Sequence, residues 1–152
     1  METNYQGTEK EIRALNAYIK LVRATESVTA RINRNLVQAG LSVSQFDVLE
    51  SIHHLGPLCQ RDIARKIRKS TGNITIVIDS LEKRGLVRRV RSDADRRFFT
   101  INLTEQGEQQ IREFFPVYLA AIMDEMTVLD DAEQDKLGQL CRKVGLKKGG
   151  NE

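Results

Sequence analysis

Apolar residues recur at three- and four-residue intervals along most of the chain, which is the spacing that gives a helix one apolar face. A first helix is predicted from Glu9 to about Ala39, because this range contains neither glycine nor proline and Gly40 follows it. A second helix is predicted to begin with Ser44 as its N-cap and to end near His54, before a Gly-Pro pair.

The middle of the chain predicts two shorter helices and a hairpin. The first helix runs from Gln60 to about Arg68, and the second runs from about Thr71 to Arg84 with Ser70 as its cap. Strand-like runs at 86–91 and 98–103 flank a polar turn, which is the pattern of a β-hairpin. The second helix has an apolar stripe that is expected to face the core, formed by Ile74, Val77, Ile78 and Leu81.

Two further helices follow the hairpin, a long one from Thr104 and a last one from about Asp131 to Val144. The inward stripe of the last helix includes Cys141, which is therefore expected in the core. These regions and the first helix are long, amphipathic and rich in apolar residues. Pairing with a second copy of the chain would bury their apolar faces.

The composition fits one soluble globular domain, because the chain has 152 residues, of which 40% are hydrophobic and 30% charged. The apolar runs are too short to span a bilayer, so no membrane partner is expected. The first residues lack the pattern of a secretion signal, and Cys59 and Cys141 have no nearby partner. Both features favour reduced thiols in a cytoplasmic protein.

Positive charge is concentrated in the middle of the chain. Residues 61–97 contain 12 Lys and Arg against five Asp and Glu, a local net charge of +7, whereas the whole chain carries +3 and the remainder −4. Phosphates offer a dense line of negative charge, so a basic unit of this kind predicts a nucleic-acid-binding surface. A solvated charged face on an ordinary helical domain is the alternative interpretation.

The outer face of the second short helix suits DNA. Asparagine can pair with adenine, threonine can bond a base edge or a phosphate, and isoleucine can press on a thymine methyl group. Ser70 and Thr71 lie at the helix N-terminus, where a phosphate would be favoured. A helix-turn-helix with its second helix in the major groove is therefore predicted. The rest of this face consists of Asn73, Thr75, Ile76, Ser80 and Lys83.

The hairpin carries arginines that could reach an adjacent minor groove, where the narrow width concentrates negative potential. Asp93 and Asp95 could brace one of them through a charge-assisted hydrogen bond. The arginines are Arg88, Arg89, Arg91, Arg96 and Arg97. A helical dimer that binds a ligand or a protein without binding DNA is the alternative function, and it would not need these arginines.

Catalytic motifs are absent from the sequence, which has no Ser/His/Asp order, phosphate-cradling glycine loop or H-E-x-x-H pattern. An enzyme is not expected, and no cofactor is implied. Adjacent histidines on a helix point about 100° apart, so His53 and His54 are not expected to share a metal ion. One of them could instead line an effector pocket.

Three motifs resemble those of the MarR (multiple antibiotic resistance regulator) family. They are D-x-L-E-x-x-G-L-V at 79–87, D-x-R at 95–97 and L-T-x-x-G at 103–107. The resemblance covers nearly the whole chain and implies a mainly α fold with a small β-wing, a winged helix-turn-helix with N- and C-terminal dimerisation helices. It implies a single domain over 1–152, with dimerisation helices at about 9–39 and 105–147 and a winged lobe at about 44–104.

The resemblance also implies a function. The protein would be a homodimeric repressor of a palindromic operator on double-stranded DNA, released by a small aromatic or phenolic ligand or by an electrophile. Arg97 would enter the minor groove, while the major groove would be read by Ser70, Thr71, Asn73, Thr75 and Ile76. The G-N-I-T segment at 72–75 also resembles a branch that responds to quinones and related electrophiles.

Cys59 is a candidate sensor because it precedes a helix and lies near Arg61, and both features can make a thiol reactive. The alternative is a small, half-buried turn residue. Peroxide-sensing members of the family carry their cysteine early in the first helix, and this sequence has none there. His53 and Cys59 are therefore the effector or redox candidates.

Overall fold

The computed structural model of the protein describes residues 4–91 and 98–146. Six helices and three short strands follow one another in these ranges, and the predicted class, mainly α with a small β-wing, is confirmed. The elements are α1 (Glu9–Gln38), α2 (Val43–Leu55), β1 (Leu58–Cys59), α3 (Gln60–Lys66), α4 (Thr71–Lys83), β2 (Val87–Arg91), β3 (Phe99–Leu103), α5 (Glu105–Met126) and α6 (Asp131–Gly145).

Side-chain caps mark where the described helices other than α3 begin, and one predicted cap is wrong. The N-cap of α2 is Ser42, whose hydroxyl accepts from the Gln45 N–H, while the Gln45 side chain accepts from the Ser42 N–H. This reciprocal capping box needs Glu or Gln three residues after the cap. Ser44, the predicted cap, is followed at that distance by Asp47 and lies inside the helix.

The sheet contains a third strand that the sequence did not predict. Its order is β1-β3-β2 with antiparallel pairing, so that Leu58 lies opposite Ile101 and Val87 lies opposite Leu103. Cys59, expected in a turn, is the second residue of β1 and also the N-cap residue of α3. A strand of two residues is too short for alternation to reveal it.

One hydrophobic core joins α2, α3 and α4 to the sheet and to the first half of α5. The predicted stripe of α4 supplies its centre, since Ile74, Ile78 and Leu81 are fully buried. Phe46 of α2 packs against Phe114 and Tyr118 of α5, with ring centroids 5.7 and 4.3 Å apart. The apolar side of α4 therefore packs against the body of the molecule.

The apolar face of α6 is uncovered in the single chain. All of α6 lies within the described ranges and none of its residues is buried. Cys141 is exposed, so its predicted place in the core is wrong for one chain, because no other described element covers this stripe. Among the described residues, no helix is both long and apolar enough to cross a membrane.

Candidate nucleic-acid interface

The outer side of α4 presents an apolar residue to solvent beside polar ones. The Ile76 side chain is 70% exposed, whereas Ile74 and Ile78, two residues away on either side, are fully buried. Asn73 and Lys83 are exposed along the same helix. An exposed isoleucine between polar residues adds nothing to the core, but it can contact a thymine methyl group in a major groove.

The first turn of α4 is open to a ligand. Ser70 caps the helix, its hydroxyl accepting from the Asn73 N–H at 3.3 Å, and Ser70, Thr71 and Gly72 are all exposed. A Cβ built on Gly72 has nothing within 4 Å. The backbone N–H groups and the dipole of this helix end therefore face unobstructed space, as a phosphate contact requires.

Two predicted contact residues are engaged within the protein. The Thr75 hydroxyl donates to the Thr71 carbonyl oxygen at 3.0 Å and accepts from Gln60 Nε2, which ties α4 to α3. The Ser80 hydroxyl accepts from Gln45 Nε2 at 3.0 Å, which ties α4 to α2. Both side chains are half-buried, so the structure places them at the edge of the outer face rather than at its centre.

The wing, the hairpin formed by β2 and β3, is joined to α4 by Arg89. Its guanidinium binds the carboxylates of Asp79 and Glu82, and its backbone N–H donates to Glu82 at 3.1 Å. Arg91 is exposed, with its guanidinium carbon 5.4 Å from the centre of the Phe99 ring. Arg89 thus braces the wing from inside, while Arg91 faces outward.

The predicted wing tip lies outside the described residues. Asp95, Arg96 and Arg97 belong to this group, as does Asp93, so their predicted roles stay predictions. Within the described part of the wing, Arg89 has its acidic partners on α4.

A basic turn at 65–69, formed by the end of α3 and the residues that follow it, adds to the predicted interface. Arg65, Lys66, Arg68 and Lys69 are all exposed immediately before the first turn of α4. Arg68 adopts a positive φ of 53°, which turns the chain sharply between the two helices. The R-K-I-R-K run at 65–69 is the sequence signal that could have identified these residues.

His53 lies at the contact between α2 and α5. Its Nδ1 is 3.1 and 3.3 Å from the two carboxylate oxygens of Glu108. Burial alone would raise the pKa of Glu108, but hydrogen bonds from His53 and Arg112 outweigh it and lower the pKa. Within residues 4–91 and 98–146, no group of three His, Cys, Asp or Glu side chains could hold a metal ion.

Cys59 lies close to the first turn of α4. Its thiol donates to Asp62 at 3.0 Å, and this bond, assisted by Arg65, lowers the pKa of Asp62. The half-buried Cys59 lines a cavity of about 330 Å³ between α3, the start of α4 and the wing. The cavity is also lined by Gln60, Arg61, Thr71, Arg89, Phe98, Phe99 and Ile101.

The chain is similar to known regulators over most of its length. Residues 41–98 match the profile described as MarR family. The chain is 33% identical over 134 residues to the HTH-type transcriptional regulator MhqR of Bacillus subtilis (strain 168), covering 88% of this chain and 92% of that protein.

Two solved structures share its fold. AbsC, a MarR family transcriptional regulator from Streptomyces coelicolor, superposes with a TM-score of 0.82 at 20% identity, covering 93% of this chain and 96% of AbsC. BpsR of Bordetella bronchiseptica superposes with a TM-score of 0.80 at 23% identity, covering 96% of this chain and 100% of BpsR. The DNA binding of BpsR is regulated by 6-hydroxynicotinic acid.

Proposed function

The chain belongs to the MarR family of transcriptional regulators, and we propose that it represses transcription by covering a palindromic operator as a homodimer. DNA binding follows from the family. The palindrome follows from two-fold symmetry, because two copies of α4 related by a dyad read the same sequence on opposite strands. Repression follows because a dimer spanning about two turns of duplex would block a promoter that overlaps it.

The outer face of α4 carries this proposal. It combines the exposed Ile76 with Asn73 and an open helix N-terminus, and the basic turn at 65–69 lies beside it. Base edges would be read by the side chains, and phosphates would be held by the helix end and the turn. Arg91, and Arg97 by prediction, would contact DNA from the wing.

The homodimer is supported by the apolar faces of the terminal helices. In α6, the exposed fractions of Leu137, Leu140 and Val144 are 40, 50 and 62%. Isolated exposed leucines are ordinary, but a stripe at helical spacing on an otherwise charged helix indicates a partner. The expected result is a dimer in sedimentation experiments that Leu140→Glu converts to monomer, and a monomeric wild-type protein would contradict the proposal.

Salt dependence tests the DNA interface. The protein should retain specific fragments from genomic DNA, and its affinity for them should fall steeply with salt because phosphate contacts release counterions. Removing one phosphate contact by Lys83→Ala should lower the salt slope by about one. Binding that is insensitive to salt would instead favour the alternative, a helical ligand-binding or protein-interaction module without DNA binding. In vitro transcription from a retained fragment then distinguishes repression from activation.

The effector is proposed to be a small aromatic or phenolic molecule or an electrophile. The regulation of BpsR by 6-hydroxynicotinic acid supports the aromatic class. His53 and Cys59 stay the candidate effector residues, the first between α2 and α5 and the second beside the start of α4. Titration of protein–DNA complexes with a benzoquinone should release wild-type protein but not Cys59→Ser if the thiol is the sensor. Equal release of both proteins would exclude Cys59 from that role.

A further inference from the structure

We propose that Gln45 and Arg84 are positioning residues, which fix the C-terminal end of α4 to the turn between α1 and α2. The inference rests on the proposed function, because the consequence of this attachment is the spacing of two α4 helices on DNA. Neither residue was among the predicted contact residues, and both interactions join segments that lie far apart in the chain.

Both polar atoms of the Gln45 side-chain amide form hydrogen bonds. Its Oε1 accepts from the Ser42 N–H at 3.0 Å, which completes the cap of α2, and its Nε2 donates to the Ser80 hydroxyl at 3.0 Å. One side chain therefore fixes the start of α2 and, at the same time, the last turns of α4. A residue that only capped α2 would not need the amide nitrogen.

Arg84 extends the same connection to α1. It follows the last residue of α4, and its Nη1 donates to the Gly40 carbonyl oxygen at 2.9 Å and to Gln45 Oε1 at 3.2 Å. Gly40 adopts a positive φ of 63°, which turns its carbonyl group out of the end of α1. The exposed guanidinium is thus held by two acceptors of the protein itself.

The turn between α1 and α2 is also hydrogen-bonded to α5. Gln110 Nε2 donates to the Ala39 carbonyl oxygen at 3.0 Å, and the Thr104 hydroxyl donates to the Gly85 carbonyl oxygen just beyond α4. The C-terminal end of α4 is therefore attached to the α1–α2 turn, to α2 and to the start of α5, whereas its N-terminal part is attached to α3 through Gln60. A shift between α1 and α5 would therefore act on the C-terminal end of α4 and move the helix relative to DNA.

Half-site spacing is the property that this attachment should control. Adding one base pair between half-sites moves them about 3.4 Å apart and rotates them by about 34°, because B-DNA has about 10.5 base pairs per turn. A firmly held α4 cannot follow such a change, whereas a loosened one can. Loss of the attachment should relax the preference for one spacing without removing a phosphate contact.

The experiment compares variants on an operator recovered by the wild-type protein and on versions with one base pair added or removed at its centre. Gln45→Ala removes the donor to Ser80 together with the acceptor for the Ser42 cap and for Arg84. Arg84→Ala removes the whole Arg84 connection, and Arg84→Lys restores one nitrogen that can donate to the same acceptors. Lys83→Ala is the matched control, since it removes a neighbouring exposed cation outside the network.

Gln45→Ala and Arg84→Ala should each reduce the discrimination between spacings by about fivefold or more while leaving the salt slope at its wild-type value. Arg84→Lys should recover part of the discrimination. Lys83→Ala should keep the wild-type discrimination between spacings and should lower the salt slope of DNA binding by about one. If Arg84→Ala behaves like Lys83→Ala, then Arg84 is a phosphate contact and the inference is overturned.

Amide hydrogen exchange tests the attachment without DNA. In Gln45→Ala and Arg84→Ala, the amides of residues 84–86 should exchange about tenfold faster than in the wild-type protein, while those of the buried part of α2 keep their rates. Unchanged exchange at 84–86 would overturn the inference. A wild-type protein that fails to bind any DNA would instead overturn the proposed function, and the exchange result would still decide the attachment.

Discussion

Gly107 packs directly against the backbone of Leu86, so that a Cβ on residue 107 would lie 1.9 Å from the Leu86 carbonyl oxygen. The same oxygen accepts from the Thr104 N–H at 3.1 Å. The start of α5 and the chain just after α4 are therefore in direct backbone contact. This contact gives a physical reason for glycine at the end of the L-T-x-x-G motif, because only a residue without a side chain fits there.

Gly107→Ala is expected to lower the free energy of unfolding by about 1 to 3 kcal/mol, because the added methyl group meets backbone that cannot turn aside. Urea unfolding followed by circular dichroism measures the change. Gly72→Ala is the control, since Gly72 is also helical and a Cβ there has open space around it. That variant should be unchanged or gain up to about 1 kcal/mol from helix propensity. Equal destabilisation of both variants would contradict the role of the Leu86 contact.

The local elements could be predicted from the sequence because their signals are local. The buried face of α4 was predicted correctly from its apolar stripe. The ends of α1 and α4 were predicted from Gly40 and Gly85 to within about two residues. Both glycines adopt a positive φ, at 63° and 70°, which is why they mark those ends. The start of α2 was misplaced because both Ser42 and Ser44 are possible caps and the partner at 45 decides between them.

The partners of the site residues could not be predicted, because they come from distant parts of the chain. Thr75 is joined to Gln60 and Ser80 to Gln45, 15 and 35 residues away. Periodicity places a hydroxyl on a face of the helix, but it does not say which neighbour reaches that face. The apolar stripe of α6 shows the same limit, since its pattern was visible in the sequence but none of its residues is buried by the described part of the chain.

Arg89→Ala is expected to weaken the joint between the wing and α4 rather than to remove a phosphate contact. Its side chain is 25% exposed and binds Asp79 and Glu82, which are 50 and 39% exposed, so solvent screens the pairs. The loss in unfolding free energy should be about 1 kcal/mol. The salt slope of DNA binding should keep its wild-type value, whereas Arg91→Ala should lower it by about one. A lower slope for Arg89→Ala would assign Arg89 to the DNA contact.

Ile76→Ala and Ile74→Ala should separate recognition from stability. Ile76 is 70% exposed, so its truncation should change the unfolding free energy by less than about 0.5 kcal/mol. It should reduce the preference for thymine at one operator position, measured by binding to operators substituted at each base pair. Ile74 is fully buried, and its truncation should cost about 2 to 5 kcal/mol. An Ile76→Ala protein with unaltered base preference would contradict major-groove contact by this residue.

Asp47→Asn should stabilise the protein at neutral pH. Asp47 is half-buried in α2, where burial, followed by the neighbouring Glu50, raises its pKa although Lys69 opposes the shift. A carboxyl whose pKa is raised by folding favours its neutral form in the folded state. Below the ordinary Asp pKa of about 3.9 the group is neutral in both states and does not lower the free energy of unfolding. As the pH rises from there through the raised pKa, ionisation of Asp47 progressively lowers the free energy of unfolding.

The gain from Asp47→Asn should consequently be present at pH 7 and absent near pH 3, as measured by urea unfolding across this range. Glu125→Gln provides a control of opposite sign. Its carboxylate accepts two bonds from Arg31, both of 2.6 Å, and these lower the pKa of Glu125. Its substitution should destabilise the protein at pH 7, and the effect should fade as the pH falls through that lowered pKa. A gain from Asp47→Asn that persists unchanged at pH 3 would mean that packing, rather than the buried charge, is its cause.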